Sequence, residues 1–141
     1  MRPIIASLLP VCVAVVACAS WPEATYKLYP GPARPSAELV VVRLGDANAA
    51  EFDGRVALRR DWSEVQLLPG THAVRWQTEF GVSAMLEPSG IVTGDAAHEV
   101  ELLAGHTYTL KADRTTGSTR QLFFWLRDET TGTVVAGSPK P

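Results

Sequence analysis

Val65-Gln66-Leu67-Leu68-Pro69-Gly70-Thr71-His72-Ala73-Val74-Arg75-Trp76 is the stretch that sets the fold class. Val65 and Leu67 occupy alternate positions, the period of a strand with one buried face. Pro69-Gly70 then stops the strand, because proline donates nothing to a ladder and glycine takes backbone angles closed to other residues. Beyond the turn His72, Val74 and Trp76 share one face of a second strand, which assigns Trp76 to the core. The pattern recurs at Val100-Glu101-Leu102-Leu103-Ala104-Gly105-His106-Thr107, after which Tyr108, Leu110 and Ala112 alternate. Both V-x-L-L-[PA]-G segments read as hairpins, and two copies are too few for a solenoid.

The same grammar extends in both directions. Residues 38–44 form a valine-rich buried run, and Asp53-Gly54 is a hairpin signal with Phe52 before it and Val56 and Leu58 after it. Phe80, Val82, Ala84 and Leu86 alternate until Pro88-Ser89-Gly90, while His98, Val100 and Leu102 form another face. Residues 122–126 are apolar on both faces, as a central strand requires, and residues 128–132 turn the chain into a last strand over 133–136. Residues 46–51 have only their alanines to support a helix, and read as a loop or a single turn. Short strands about 8 to 12 residues apart, separated by glycine and proline turns, predict an all-β protein with a single antiparallel β-sandwich over residues 37–141.

The amino-terminal end has a different character. Arg2 precedes an apolar run over residues 4–16, closed by Val15-Val16-Ala17-Cys18, and this is the layout of a secretory signal. The run is shorter than the ~20 apolar residues of a spanning helix and is interrupted by Pro10. The tetrapeptide resembles the lipobox of bacterial lipoproteins. That resemblance implies removal of residues 1–17, a diacylglycerol on the Cys18 thiol, and membrane attachment through lipid. It also implies delivery to the outer membrane, facing the periplasm, since Ala19 stands where inner-membrane retention requires aspartate. Residues 18–36, with Pro22, Pro30, Pro32 and Pro35, read as an extended tether, although Tyr26 and Tyr29 could pack back onto the domain.

Composition excludes several classes. The chain carries 13 basic and 15 acidic residues, a formal charge of −2, and its one adjacent basic pair, Arg59-Arg60, is followed at once by Asp61. Nucleic-acid binding needs a stripe of Lys and Arg, which is missing, and electrostatic recognition of an anionic membrane is not expected either. Of the two cysteines, Cys12 leaves with the signal peptide and Cys18 takes the lipid, so no disulfide is expected.

Leu67-Leu68-Pro69-Gly70-Thr71-His72-Ala73-Val74 resembles the L-x-P-G-x-H-x-V hairpin of PEGA domains, and Leu103-Ala104-Gly105-His106-Thr107-Tyr108 is similar to their strand entry. The resemblance covers about half of the chain and implies a non-enzymatic sandwich of the bacterial envelope. Residues 122–136 extend beyond it. Candidates for chemistry are few. His72, His98 and His106, with Asp95, lack the close ligand pairs of zinc sites, so neither metal nor cofactor is expected. Asp53, Asp61, Asp95, Asp113 and Asp128 fall in turns, and Ser63, Ser83 and Ser89 have no G-x-S-x-G context, so no enzyme is expected. Trp62, set among Arg60, Asp61 and Glu64, is the candidate for a binding surface toward a glycan, peptidoglycan or protein. The expected role is therefore a binding or structural component of the envelope, with Cys18 as its lipid-attachment site. An accessory subunit of a secretion or assembly complex is the alternative.

Overall fold

Asp53 and Gly54 both have positive φ, 50° and 82°, and the tight turn they form fixes the register of the hairpin around it. A two-residue loop with both φ values positive matches the right-handed twist of the strands it joins. In the computed structural model, which describes residues 24–80, 90–93, 97–115 and 121–141, this hairpin joins β3 (Ala49–Phe52) to β4 (Arg55–Leu58). The other strands among the described residues are β1 (Thr25–Lys27), β2 (Val40–Arg43), β5 (Glu64–Leu67), β6 (Gly70–Phe80), β7 (Gly90–Thr93), β8 (His98–Leu102), β9 (Thr107–Arg114), β10 (Leu122–Asp128) and β11 (Val134–Gly137).

Two sheets pack face to face. One has the order β1-β5-β2-β9-β10-β11, and the other runs β4-β3-β6-β7 with β8 also paired to β6. Val40, Val42, Val65, Leu67, Tyr108, Leu110 and Leu126 from the first sheet meet Ala50, Phe52, Ala57, Val74, Trp76, Val100 and Leu102 from the second. Their period-two spacing turns one face of each strand inward, and the removal of this apolar surface from water is what favours the packed state. The all-β sandwich expected from the turn spacing is the observed architecture, and Trp76 lies in its core at 2 % exposure.

Two pairings in the first sheet, β1 with β5 and β2 with β9, are parallel, so the sheet is mixed and not wholly antiparallel. For β2 and β9 the cause lies in the second of the repeated V-x-L-L-[PA]-G segments, and neither segment is a hairpin. β5 belongs to the first sheet and β6 to the second, so Pro69-Gly70 carries the chain across the core. Ala104-Gly105 carries it back from β8 to β9. A strand that re-enters a sheet from the opposite layer can run parallel to its new neighbour, which a short hairpin forbids. Alternation and glycine placement look the same for a hairpin and an arch, and for that reason the sequence pattern did not separate them.

Two further expectations are corrected. Residues 49–51, read as part of a loop or single turn, belong to β3, which pairs with β4 on one side and β6 on the other. Alanine has low strand preference, but Ala50 lies opposite both Ala57 and Trp76, where the small side chain leaves room for the indole. Val56 and Leu58 do not share the face of Phe52. The two-residue turn sets Arg55 opposite Phe52, which sends Ala57 inward and leaves Val56 55 % exposed.

The stretch assigned to a tether contributes to the domain from Thr25 onward. β1 hydrogen-bonds along β5, Leu28 N–H donates to the Gln66 carbonyl (2.9 Å), and Leu28 and Tyr29 are buried. β5 would otherwise present an open edge, and β1 covers it. The proline-rich loop then folds onto Tyr29: its hydroxyl accepts from Arg34 N–H (3.3 Å), while Lys27 lies over the ring and donates to the Gly31 carbonyl. The strand face at Val82, Ala84 and Leu86, together with Asp95 and Cys18, lies outside the described residues.

Candidate functional site

Each arch between the sheets is fastened by a histidine to an aspartate in a neighbouring hairpin turn. His72 Nδ1 lies 2.6 Å from Asp53 Oδ2 and its Nε2 lies 2.7 Å from the Leu68 carbonyl, so the imidazole bridges the β3–β4 turn and the entry to β6. Carboxylate and carbonyl oxygens only accept, and both bonds are made when the ring carries both protons. Asp53 Oδ1 also accepts from Ala73 N–H at 2.9 Å. Burial pushes the Asp53 carboxyl up, but the His72 and Ala73 bonds and the charges of His72 and Arg55 outweigh it and hold the group below the usual carboxylate range.

The second fastening is more deeply buried. His106 Nδ1 lies 2.7 Å from Asp128 Oδ2, and Asp128 Oδ1 accepts from Thr130 N–H (2.8 Å) and Thr131 N–H (3.3 Å). Asp128 is 3 % exposed. Desolvation alone would raise its pKa; the His106 bond and the Thr130 and Thr131 donors reverse the direction and hold it low. Beside it Tyr108 closes the same arch, its hydroxyl accepting from Leu103 N–H at 3.0 Å while its ring stacks with His106. Burial pushes the Tyr108 phenol up, as do the charges of Asp128 and Glu101. A tyrosine that ties the backbone a few residues upstream is a known corner of β-sandwiches. It gives the A-G-x-x-Y pattern of residues 104–108 a physical reason.

Among the described residues neither Asp–His pair is joined by the third member of a nucleophilic triad. Both nitrogens of His72 are engaged, and among the described residues no hydroxyl hydrogen-bonds to His106 Nε2. The three histidines are not brought together. His98 begins β8 with its ring against Trp76, and among the described residues no group of three His, Cys, Asp or Glu side chains is placed to hold a metal. Trp62 is half-buried. One face of its indole stacks on Tyr26, with centroids 5.0 Å apart and planes 14° from parallel, so the residue joins β1 to the turn before β5.

A feature that the sequence did not reveal lies on the outer face of the first sheet. Arg43, Gly45, Arg59, Ser63, Thr109, Lys111 and Glu129 line an open depression of about 480 Å³. Arg43 and Thr109 face each other across the β2–β9 pairing, Lys111 follows two residues along the same face, and Arg59 arrives from the turn after β4. Positions 43, 59 and 111 are too far apart in the chain to register as a basic cluster, and only the fold assembles them. A smaller hollow of about 230 Å³ on the outer face of the second sheet is lined by Val56, Leu58, Glu51 and Arg75 among others. Among the described residues no helix is long and apolar enough to cross a membrane. No family model, no curated protein and no solved structure matches the chain.

Proposed function

We propose that this protein is a lipid-anchored component of the bacterial envelope, whose PEGA-like β-sandwich has a binding or structural role without catalysis. The observation that carries this reading is Val15-Val16-Ala17-Cys18 at the end of the apolar run over residues 4–16. Cleavage before Cys18 makes that residue the amino terminus, and its acyl chains hold the protein at the bilayer. Several chains are needed, since one gives only marginal attachment. Ala19 directs the mature protein to the outer membrane, facing the periplasm. Thr25, the first residue of β1, lies seven positions after Cys18, and seven extended residues span about 25 Å at most. That short reach keeps the sandwich close to the membrane.

Radiolabelled palmitate tests the anchor in cells. The parent chain is expected to incorporate label and to remain with membranes after a high-salt wash, and Cys18→Ser is expected to incorporate none. Equal labelling of the two would overturn the reading.

A further inference from the structure

We propose that the depression formed by Arg43, Arg59 and Lys111 docks onto the headgroups of anionic phospholipids in the bilayer, seating the sandwich on the membrane surface; this rests on the lipid anchor at Cys18. Three observations converge on this face.

The first is an excess of positive charge. Among the described residues none of the three side chains makes an ion pair or a side-chain hydrogen bond. Glu129, the one carboxylate lining the depression, pairs with Arg127 (3.6 Å), which leaves Glu64, opposite Arg43, as a carboxylate beside three cations. That excess in an acidic protein points to an anionic counterpart.

The second is where the chain arrives. The Ala24 carbonyl accepts from both the N–H (2.9 Å) and the hydroxyl (3.2 Å) of Ser63, which lines the depression. Ala24 is six positions from Cys18, about 20 Å of extended chain. A lipid on Cys18 therefore holds headgroups within about 20 Å of Ala24, which is bonded to the rim of this face.

The third is an aromatic on the same surface. Trp125 lies opposite Lys111 in the β9–β10 pairing and is half-buried there, so an indole flanks the cations. Tryptophan is favoured at the level of lipid headgroups. Phosphate oxygens would accept from the guanidinium groups of Arg43 and Arg59 and from Lys111 Nζ, with the hydroxyls of Ser63 and Thr109 at the rim.

The test uses the mature, lipidated protein, isotopically labelled, in nanodiscs that carry a gadolinium-chelating headgroup lipid. One set is of phosphatidylcholine, and the other of phosphatidylcholine with phosphatidylglycerol. Paramagnetic broadening is expected to concentrate on the amides of residues 43–45, 59–63 and 109–111 in the anionic discs, and to fade in about 0.5 M salt as screening shortens. Each basic residue near an anionic surface adds about five-fold to association, so the triple variant Arg43→Gln, Arg59→Gln, Lys111→Gln should reduce the docking equilibrium constant about a hundred-fold. Broadening that is uniform over the domain, or equal in the two lipids, would overturn the proposal. So would inorganic phosphate alone shifting the same amides while the discs do not, since the site would then serve a free anion. Retention of the protein on the discs in high salt reports the anchor separately: loss of retention contradicts the anchor, and retention without localised broadening contradicts the docking.

Discussion

Asp128→Ala is expected to lower the stability of the folded domain by about 3 kcal/mol, enough to bring the thermal midpoint down by roughly 10 °C. Asp128 is buried and serves three donors at once: His106 Nδ1 and the N–H groups of Thr130 and Thr131. Alanine removes the buried carboxylate from all three, and bonds to a charged acceptor are the stronger kind. The same carboxylate makes stability depend on acidity. Its folded pKa lies below the ordinary value, so its contribution is fully present above the usual carboxylate range and is lost as pH falls through the folded value. The parent should therefore lose stability below about pH 4, and Asp128→Asn should respond less steeply. Asp53, whose side chain is 50 % exposed, adds a smaller dependence of the same sign because solvent screens it. Urea midpoints measured across acid pH check this; equal slopes for the parent and Asp128→Asn would show that Asp128 is not the titrating group.

The second large effect is expected at Gly45, between β2 and β3. Exchange of glycine for alanine usually stabilises by ~0.4–1 kcal/mol where the backbone permits it, because the unfolded chain loses freedom. Here the sign reverses. Gly45 has φ of +51°, and a Cβ on it would overlap the Leu110 carbonyl and come within 2.7 Å of Thr109 Cγ2. β9 is an interior strand of its sheet and cannot peel away as an edge strand could, so the overlap becomes strain. Gly45→Ala should cost about 3 kcal/mol, from the left-handed backbone and the crowding together. Gly54→Ala is the control. Its φ is +82° but nothing lies within 4 Å of the added atom, so only the backbone cost of about 1 kcal/mol applies. Chemical denaturation of the two variants should separate them clearly, and equal midpoints would mean that the crowding at Gly45 is relieved.

Much of the fold was legible where a residue's local chemistry has one structural meaning. Asp53-Gly54 can hardly do other than turn, and the alternation of Val65, Leu67, Val74 and Trp76 buries what it suggests. The sequence was mute where two structures share one local pattern. Pro69-Gly70 serves an arch as well as a hairpin, and the difference lies in which sheet receives β6, a matter of long-range pairing. Ala49 and Ala50 are strand residues only because a large partner, Trp76, lies opposite one of them. Tyr26 hinted at packing, but its partner Trp62 stands 36 positions away and only the fold brings the rings together. The site follows the same rule. The proposal at Cys18 rests on four adjacent residues, whereas Arg43, Arg59 and Lys111 line one depression only when β2 and β9 pair and the turn after β4 brings Arg59 beside them. Turn chemistry placed Asp53 and Asp128, yet their histidine partners, 19 and 22 positions away, were hidden for the same reason.

The lipid anchor at Cys18 is the premise on which the membrane-proximal placement of the sandwich depends, and the intact mass of the protein extracted from membranes tests it most directly. The expected mass is that of residues 18–141 with at least a diacylglycerol on the Cys18 thiol, and fragmentation should place the addition on the first residue. A mature chain that retains residues 1–17, begins elsewhere, or carries an unmodified Cys18 would contradict the account.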